Sequence, residues 1–318
     1  MPGPETTLSY PGLKSRLSRL LIDVRNALFR PQKIWHALAR SLKTRFLWQR
    51  RFDGLREPKV AAGIFDTPET YEKILSGLGA ADIPVTKMPV DKDEYDRYCA
   101  AAGYDRFPLY LKAGRAAAFP KKSLEHFLSA KLLGLTVQDR YIDVASHGSP
   151  VPEIYSSLYG CTCFRQDITF APGVHGNTIG GNADSMPVAS NFATAMGLHC
   201  SFEHFEGNSD TGFIREAQRV LAPGGRAVIV PLYLFTHYAI LTDPSVLPRG
   251  GIFFEPDATL HCLKGYGNRH GRVYDVPHFV NRVFHNRGSL NVRIFYFENT
   301  GDIDPSGIVR FAAVLQKP

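Results

Sequence analysis

Three aspartates stand where short apolar runs end. Asp143 falls near the end of Arg140–Val144 (RYIDV), Asp167 follows Cys161–Gln166, and Asp184 lies in Gly180-Gly181-Asn182-Ala183-Asp184 after Thr178–Gly180. Carboxylates at the carboxyl ends of strands can accept hydrogen bonds from a polar ligand on the rim of an α/β sheet. Behind Asp143 come Ala145-Ser146-His147-Gly148-Ser149 and then a helical pattern. Such a loop is expected to bring backbone N–H groups and a helix N-terminus close to the ligand. Asp167 comes 24 residues after Asp143, against roughly 20 for the ribose-binding acid of dinucleotide folds. Asp184 is then placed to meet a base. An aspartate at a strand end also caps turns, so it is the order of the three that points to a nucleoside.

The elements that must position these acids alternate between strand and helix, the mark of a parallel sheet. Helical spacing runs over Lys122–Leu135, around Pro152–Leu158 and from Thr211 to Leu221, with Asp210 placed as an N-cap. Strands are expected at Arg140–Val144, Cys161–Gln166, Thr178–Gly180, Phe192–His199 and Ala227–Leu232, the last admitted by Gly224-Gly225. Val292–Phe297 and Ile308–Leu315 read as a closing hairpin joined through Asn299-Thr300-Gly301-Asp302. Cys161-x-Cys163 is too tight for a Cys-x-x-Cys pair and reads as core packing.

In this order the chain resembles the class I S-adenosylmethionine-dependent methyltransferases, specifically those with a type 11 methyltransferase domain. YIDVASHGSP stands where that family has its strand and D-x-G-x-G-x-G loop, NADSMPVASNFATAMGLHCSFEHFE matches its acid, fourth strand and Glu-His pair, and FIREAQRVLAPGGRAVIVPLY matches its "RVLKPGG" helix–turn–strand. The resemblance covers about Leu124 to Tyr233 plus the terminal hairpin. It implies a Rossmann-like sheet, parallel with a C-terminal antiparallel hairpin, and S-adenosylmethionine as cofactor. Asp143, Ala145, Ser146 and Gly148 would line its methionine end, with Asp167 at the ribose, Asp184 at the adenine and His199 nearby. His204 is implied as the base for an acceptor hydroxyl, with Glu203 orienting it or binding substrate; a loop histidine that only fills space is the structural alternative. The family's three loop glycines are here Ala145, His147 and Ser149, and Asn191 replaces the Asp that opens strand four. Those departures keep a non-catalytic binding or scaffold protein of the same fold in view. A nicotinamide-dependent oxidoreductase is disfavoured, because G-x-G-x-x-G is missing. Some relatives hold a metal through Glu-x-x-Glu-His; His199, Cys200 and Glu203 complete no such set, so no metal is expected.

Residues 233–281, between the fifth strand and the hairpin, are rich in aromatics, Gly, Pro and His, and are placed to form an acceptor-binding lid. Arg272, Tyr274 and His237 are its candidate acceptor contacts, for an anionic or sugar-like group. A packed cap, with Arg272 paired to Asp275 or Glu255, is the alternative. The acceptor class is a small molecule or a glycan intermediate, methylated on oxygen; RNA is a further alternative.

The chain has 318 residues, 44% hydrophobic and 21% charged, a globular composition. No window approaches the ~18 apolar residues of a membrane span, no signal-type start is present, and five cysteines make no disulfide framework. A cytoplasmic protein is expected. The net charge of +7 is uneven: residues 12–59 carry 13 Lys/Arg against three acids, the remainder from 60 on 24 against 26. Leu13, Leu17, Leu20, Leu21, Val24 and Leu28 recur at helical steps among Lys14, Arg16, Arg19 and Arg25, an amphipathic pattern suited to an anionic membrane face or to packing on the body or a second subunit. The basic residues avoid the catalytic region, which argues against nucleic acid. The organisation expected is a basic helical extension over 1–59, a helical and irregular linker over 60–120, and a methyltransferase-like domain over 121–318. Oligomeric state is left open.

Overall fold

A computed structural model describes residues 68–112, 118–247, 252–263 and 265–318. The basic extension over 12–59, with its expected membrane-facing helices, lies outside these residues.

Helix α1 (Pro68–Ala80) buries Ile74 and Leu78, one turn apart, and leads to strand β1 (Val85–Met88). Helix α2 (Lys92–Ala102) is capped by Asp91, whose carboxylate accepts from Glu94 N at 3.0 Å, and stops at Gly103. The short α3 (Pro108–Lys112) precedes α4 (Phe119–Leu133), a helix buried over most of its surface. Then come β2 (Arg140–Val144), α5 (Val151–Tyr159), β3 (Thr162–Asp167), β4 (Gly173–His175), β5 (Thr178–Gly180) and β6 (Ala193–His199). Helix α6 (Ser209–Val220) runs directly into β7 (Leu221–Val230). The segment after it supplies β8 (Ala239–Thr242), β9 (Thr259–Cys262), β10 (Gly271–Val273) and α7 (Val276–Arg282) before β11 (Asn291–Phe297) and β12 (Phe311–Gln316).

The main sheet has nine strands in the order β1-β11-β12-β7-β6-β2-β3-β5-β4. β2, β3, β5, β6 and β7 are parallel, and β12 runs antiparallel to both β7 and β11. This is the α/β sheet expected, with its antiparallel closing hairpin. Successive strand residues point to opposite faces. Ile142, Val144 and Ile229 therefore join one apolar cluster with α1 and α6, while Tyr141, Val228 and Val230 join another with α4 and α5. The chain steps from β2 outward through β3 to β5, then returns to place β6 on the other side of β2. That reversal opens a crevice at the carboxyl ends of β2 and β6, the place where ligands bind in open α/β sheets.

Three expectations need amending. The stretch 60–120 does not stand apart from the sheet: β1 pairs in parallel with β11, Val85 opposite Ile294. Asp210 does not cap α6; Asn208 precedes the helix, and Asp210 is buried in its first turn. Gly224-Gly225 lies inside β7 rather than before it. A Cβ at Gly225 would stand 2.9 Å from both the Ala222 and Thr194 carbonyl oxygens, so only glycine lets β7 approach β6 here. The proposed lid region builds a second, three-stranded sheet, β10-β8-β9. Among the described residues no helix is long and apolar enough to cross a membrane.

Candidate functional site

Asp143, 1% exposed, is the next-to-last residue of β2, beside β6. One carboxylate oxygen faces His199 Nδ1 at 3.1 Å and lies 3.4 Å from the Tyr141 hydroxyl; the other, Oδ2, has no partner among the described residues. Gly197 makes this packing feasible, since a Cβ there would meet the Tyr141 hydroxyl at 2.4 Å. After Asp143 the chain turns through Ala145 at φ +54°, a left-handed conformation normally left to glycine. Here the loop differs from expectation. Its N–H groups do not face outward: Ala145 N donates to Gln166 Oε1 (3.1 Å), Ser146 N to the Gln166 carbonyl (2.9 Å) and His147 N to Asp167 Oδ2 (3.0 Å). The loop is tied down to the end of β3, and the polar groups left over at its base are side chains. Ser146 Oγ, Ser201 Oγ, His199 Nε2 and Asp143 Oδ2 are all buried and have no partner among the described residues. The exposed His147 ring lies 3.3 Å from Thr169 Oγ1, and Gly148 lines a separate outer hollow with Tyr110 and Ser149.

Asp167 accepts from His147 N through one oxygen and from Thr169 N (2.9 Å) and Oγ1 (2.7 Å) through the other, so it does cap a turn. A carboxylate offers about four acceptor positions, and three are filled. Asp184 is half-buried, accepts from Ser185 and Ser209 hydroxyls at 3.1 and 2.9 Å, and packs against Gly212, where a Cβ would fall 2.7 Å from its own. The loop carrying Asp184 is clasped by α6: Glu216 accepts from Met186 N (2.7 Å), while Arg219 donates to the Met186 and Val188 carbonyls (3.0 and 2.7 Å) and to Glu216. The Arg of the RVLAPGG element is thus a clamp on the loop that carries an acid 35 residues earlier in the chain.

Beyond β6, Cys200 also takes a positive φ of 52°. Burial first, then the nearby Glu203 and Glu125 carboxylates, push its thiol up to about 12, so it stays protonated. His204 Nδ1 lies 2.6 Å from the His270 carbonyl, which can only accept; Nδ1 therefore carries a proton, and the neutral form of the ring has its lone pair on Nε2. Nε2 is 3.6 Å from Glu203 Oε1, and Glu203, 5% exposed, has an Oε2 without a partner among the described residues. Behind them His270 contributes Nδ1 to the Glu203 carbonyl (3.2 Å). Burial, reinforced by the charge of Arg272, pushes the His270 pKa down to about 3, so it is neutral near pH 7.

These groups surround two hollows that meet at Ala145, Cys200 and Ser201. The larger, 480 Å³, is lined by Asp167, Asp184, His204, Glu206 and Arg269; the smaller, 220 Å³, by Asp143, Ser146, His199, Lys122 and His126. Together they have the size and mixed polarity of a small-molecule site. Of the sequence candidates, Asp143, Ala145, Ser146, Asp167, Asp184, His199 and His204 come together, with Glu203 directly behind His204; Gly148 does not join them. Among the described residues no group of three or more His, Cys, Asp or Glu is disposed to hold a metal ion.

Sequence reasoning missed the contribution of α4. Lys122 pairs with the fully buried Glu125 at 2.9 Å, and burial raises the Glu125 pKa despite the opposing pull of Lys122. His126 accepts or donates at 2.8 Å with the Tyr104 hydroxyl, and its ring lies edge-on to His199. The signal was available: Lys122, Glu125, His126 and Ser129 are polar at steps of three and four in a largely buried helix, a polar stripe along one face.

The lid candidates lie elsewhere. Arg272 is fully buried. It donates to the Tyr238 hydroxyl (3.0 Å) and the Phe205 and Gly207 carbonyls (2.6 and 2.8 Å), and is paired with Asp210 (3.0 Å) and Glu255. Tyr274, 1% exposed, donates to Asp210 Oδ2 at 2.7 Å. His237 Nε2 lies 3.1 Å from His261 Nε2. None of the three lines either hollow; the packed-cap reading, with Glu255 as partner, describes Arg272.

A family model described as a methyltransferase domain matches residues 160–229, from the start of β3 almost to the end of β7. No curated protein matches the chain. Among solved structures, the chain is similar to the 1,6-didemethyltoxoflavin-N1-methyltransferase of Burkholderia thailandensis, whose structure holds 1,6-didemethyltoxoflavin and S-adenosylhomocysteine. Identity there is 10%, over 74% of this chain and 93% of that one, with a TM-score of 0.41. A protein of Pyrococcus horikoshii matches at 16% identity over 68% and 98% (TM-score 0.43), and the Haloferax volcanii complex of a putative methyltransferase with its Trm112 activator at 12% over 70% and 97% (TM-score 0.40).

Proposed function

We propose that this chain, which belongs to the class I S-adenosylmethionine-dependent methyltransferases, methylates a hydroxyl oxygen of a small-molecule acceptor with His204 as general base. The cofactor, when bound, supplies an electrophilic methyl group on a sulfonium centre. The residues on the rim fit such a ligand. Among the described residues, buried Asp143, Ser146 and Ser201 each keep an unsatisfied polar atom, and a buried polar group without a partner costs about 1–3 kcal/mol. A ligand with amino, carboxylate and hydroxyl groups relieves that cost. Asp167 retains one acceptor position and Asp184 lines the same hollow, suiting the two acids to a ribose and a base.

The observation that carries the reading is the His204 tautomer. The His270 carbonyl holds the proton on Nδ1, so the cleft-lining ring offers a basic Nε2. An acceptor hydroxyl would pass its proton to Nε2 as the oxygen attacks, and Glu203, 3.6 Å away, balances the charge that the ring takes on. Positioning acceptor and donor supplies much of the rate, with the base adding ~10²–10⁴-fold.

Calorimetric titration with S-adenosylhomocysteine is the first test. Saturable binding is expected; neither heat nor a thermal shift at millimolar ligand would reject the reading. His204→Ala should then lower transfer from a labelled methyl donor by ~10²–10⁴-fold while leaving that titration unchanged. A second reading, a non-catalytic protein that keeps the nucleoside site, is favoured by the loop that turns its N–H groups inward. Cofactor binding without transfer to any member of a hydroxyl-acceptor panel would select it.

A further inference from the structure

A second hollow, of 570 Å³, lies at the opposite end of the main sheet. Its floor is made by Arg226 on β7, Asn291 and Arg293 on β11 and Gln316 on β12, which are adjacent through the pairs Asn291–Gln316 and Gln316–Arg226. Arg226 is four residues before Val230, which pairs with His199 at the rim. At ~3.3 Å per residue the two sites are about 13 Å apart along that strand and on opposite edges, so they cannot share one ligand.

The charge of this hollow is one-sided. Arg226, Arg287 and Arg293 line it, and Asp82 is the single carboxylate among the lining residues. Among the described residues none of the three arginines is in an ion pair. Among the described residues Arg293 Nη1 donates to Thr86 Oγ1 alone (3.1 Å); Arg287 is laid over the Phe284 ring, its guanidinium carbon 3.7 Å from the centroid, with Nη1 on the Phe284 carbonyl. The side chain of Arg226, half-buried, makes no hydrogen bond or ion pair among the described residues. This contrasts with Arg272 and Arg282, which are saturated by carboxylates. Three guanidinium groups around one cavity repel one another unless an anion joins them, and their planar forks match phosphate oxygens. Leu132, Phe284 and Phe295 complete the wall, giving an apolar surface beside the cationic floor.

We propose that this hollow binds the phosphate of an organic phosphate ester, the guanidinium groups of Arg226, Arg287 and Arg293 holding the anion while its apolar part rests on Phe284 and Phe295. The ester can be a free metabolite or a lipid headgroup. Phenyl phosphate in calorimetry probes the first source, and phosphatidylcholine vesicles containing phosphatidic acid, in a flotation assay, probe the second.

Saturable binding of either probe to the full chain is expected. Each of Arg226→Ala and Arg293→Ala should weaken it by roughly ten- to a hundredfold, with Arg226→Lys intermediate and S-adenosylhomocysteine titration unchanged. Because residues 12–59 are basic in their own right, dependence on these two arginines is the deciding readout. Should Arg226→Ala fail to fold, the exposed Arg293 carries the test. No binding of either probe, or binding that neither substitution weakens, would overturn the proposal.

Discussion

Asp184 and Asp210 are 26 residues apart and would be equal candidates for a ligand contact by residue type alone. Asp184 sits half-buried on the rim cleft, held by two serine hydroxyls and otherwise open. Asp210 is fully buried, and its oxygens are filled by Arg282 (2.7 and 2.8 Å), Tyr274 (2.7 Å) and Arg272 (3.0 Å). One region keeps polar valence in reserve around a hollow; the other uses it up to fasten the β8–β10 segment to α6. Saturation, more than burial or charge, separates the two. Asp143 is as buried as Tyr274, yet one of its oxygens is unmatched.

The contrast is most severely tested at Arg272. Arg272→Ala should destabilise the fold by about 3–5 kcal/mol, because it leaves Asp210 and Glu255 short of a buried counter-charge, read as the midpoint shift in urea. Arg272→Lys should not restore it, since a single ammonium cannot reach the Tyr238 hydroxyl and two carbonyls in one plane. An unchanged midpoint with altered acceptor kinetics would instead move Arg272 into the site.

The same network has a pH signature. Burial resists ionisation of Asp210, but the Arg282 hydrogen bond and the Arg272 charge outweigh it and hold the carboxyl below its ordinary range. A depressed folded pKa contributes stability above the unfolded value and loses it as pH falls through the folded one. Acid unfolding should therefore begin to draw on Asp210 below about pH 4, and less steeply in Arg272→Ala. On the rim, Asp184→Asn should weaken S-adenosylhomocysteine binding by roughly tenfold with little change in the urea midpoint; the reverse pattern would make Asp184 a structural acid. The smallest effect is expected at Ala145→Gly, which removes left-handed strain and should stabilise by about 1 kcal/mol, measured by thermal unfolding.

Much of this was legible because local pattern and fold agree. RYIDV predicts β2 to the residue, and the RVLAPGG element announces the helix–strand passage that carries the Arg219 clamp. The three acids are readable because a strand's carboxyl end is a position in sequence as well as in space. β1 and β8 to β10 were not, being three or four residues long and dependent on distant partners, as in Val85 with Ile294. The role of Arg272 was hidden for the same reason: Asp210, which fixes it, is 62 residues upstream. Nor does sequence tell which way a loop turns its N–H groups, and the Gln166 side chain that captures Ala145 N carries no motif.

β1 has one further consequence. It covers the backbone edge of β11, a strand whose Val292, Ile294 and Phe297 are apolar and buried. Without that cover the edge would be an open template onto which another chain could add a strand. A truncated protein starting after Met88 would keep every residue of the rim and still be prone to self-association and precipitation, so the segment ahead of the matched domain is a guard of solubility as much as a part of the sheet.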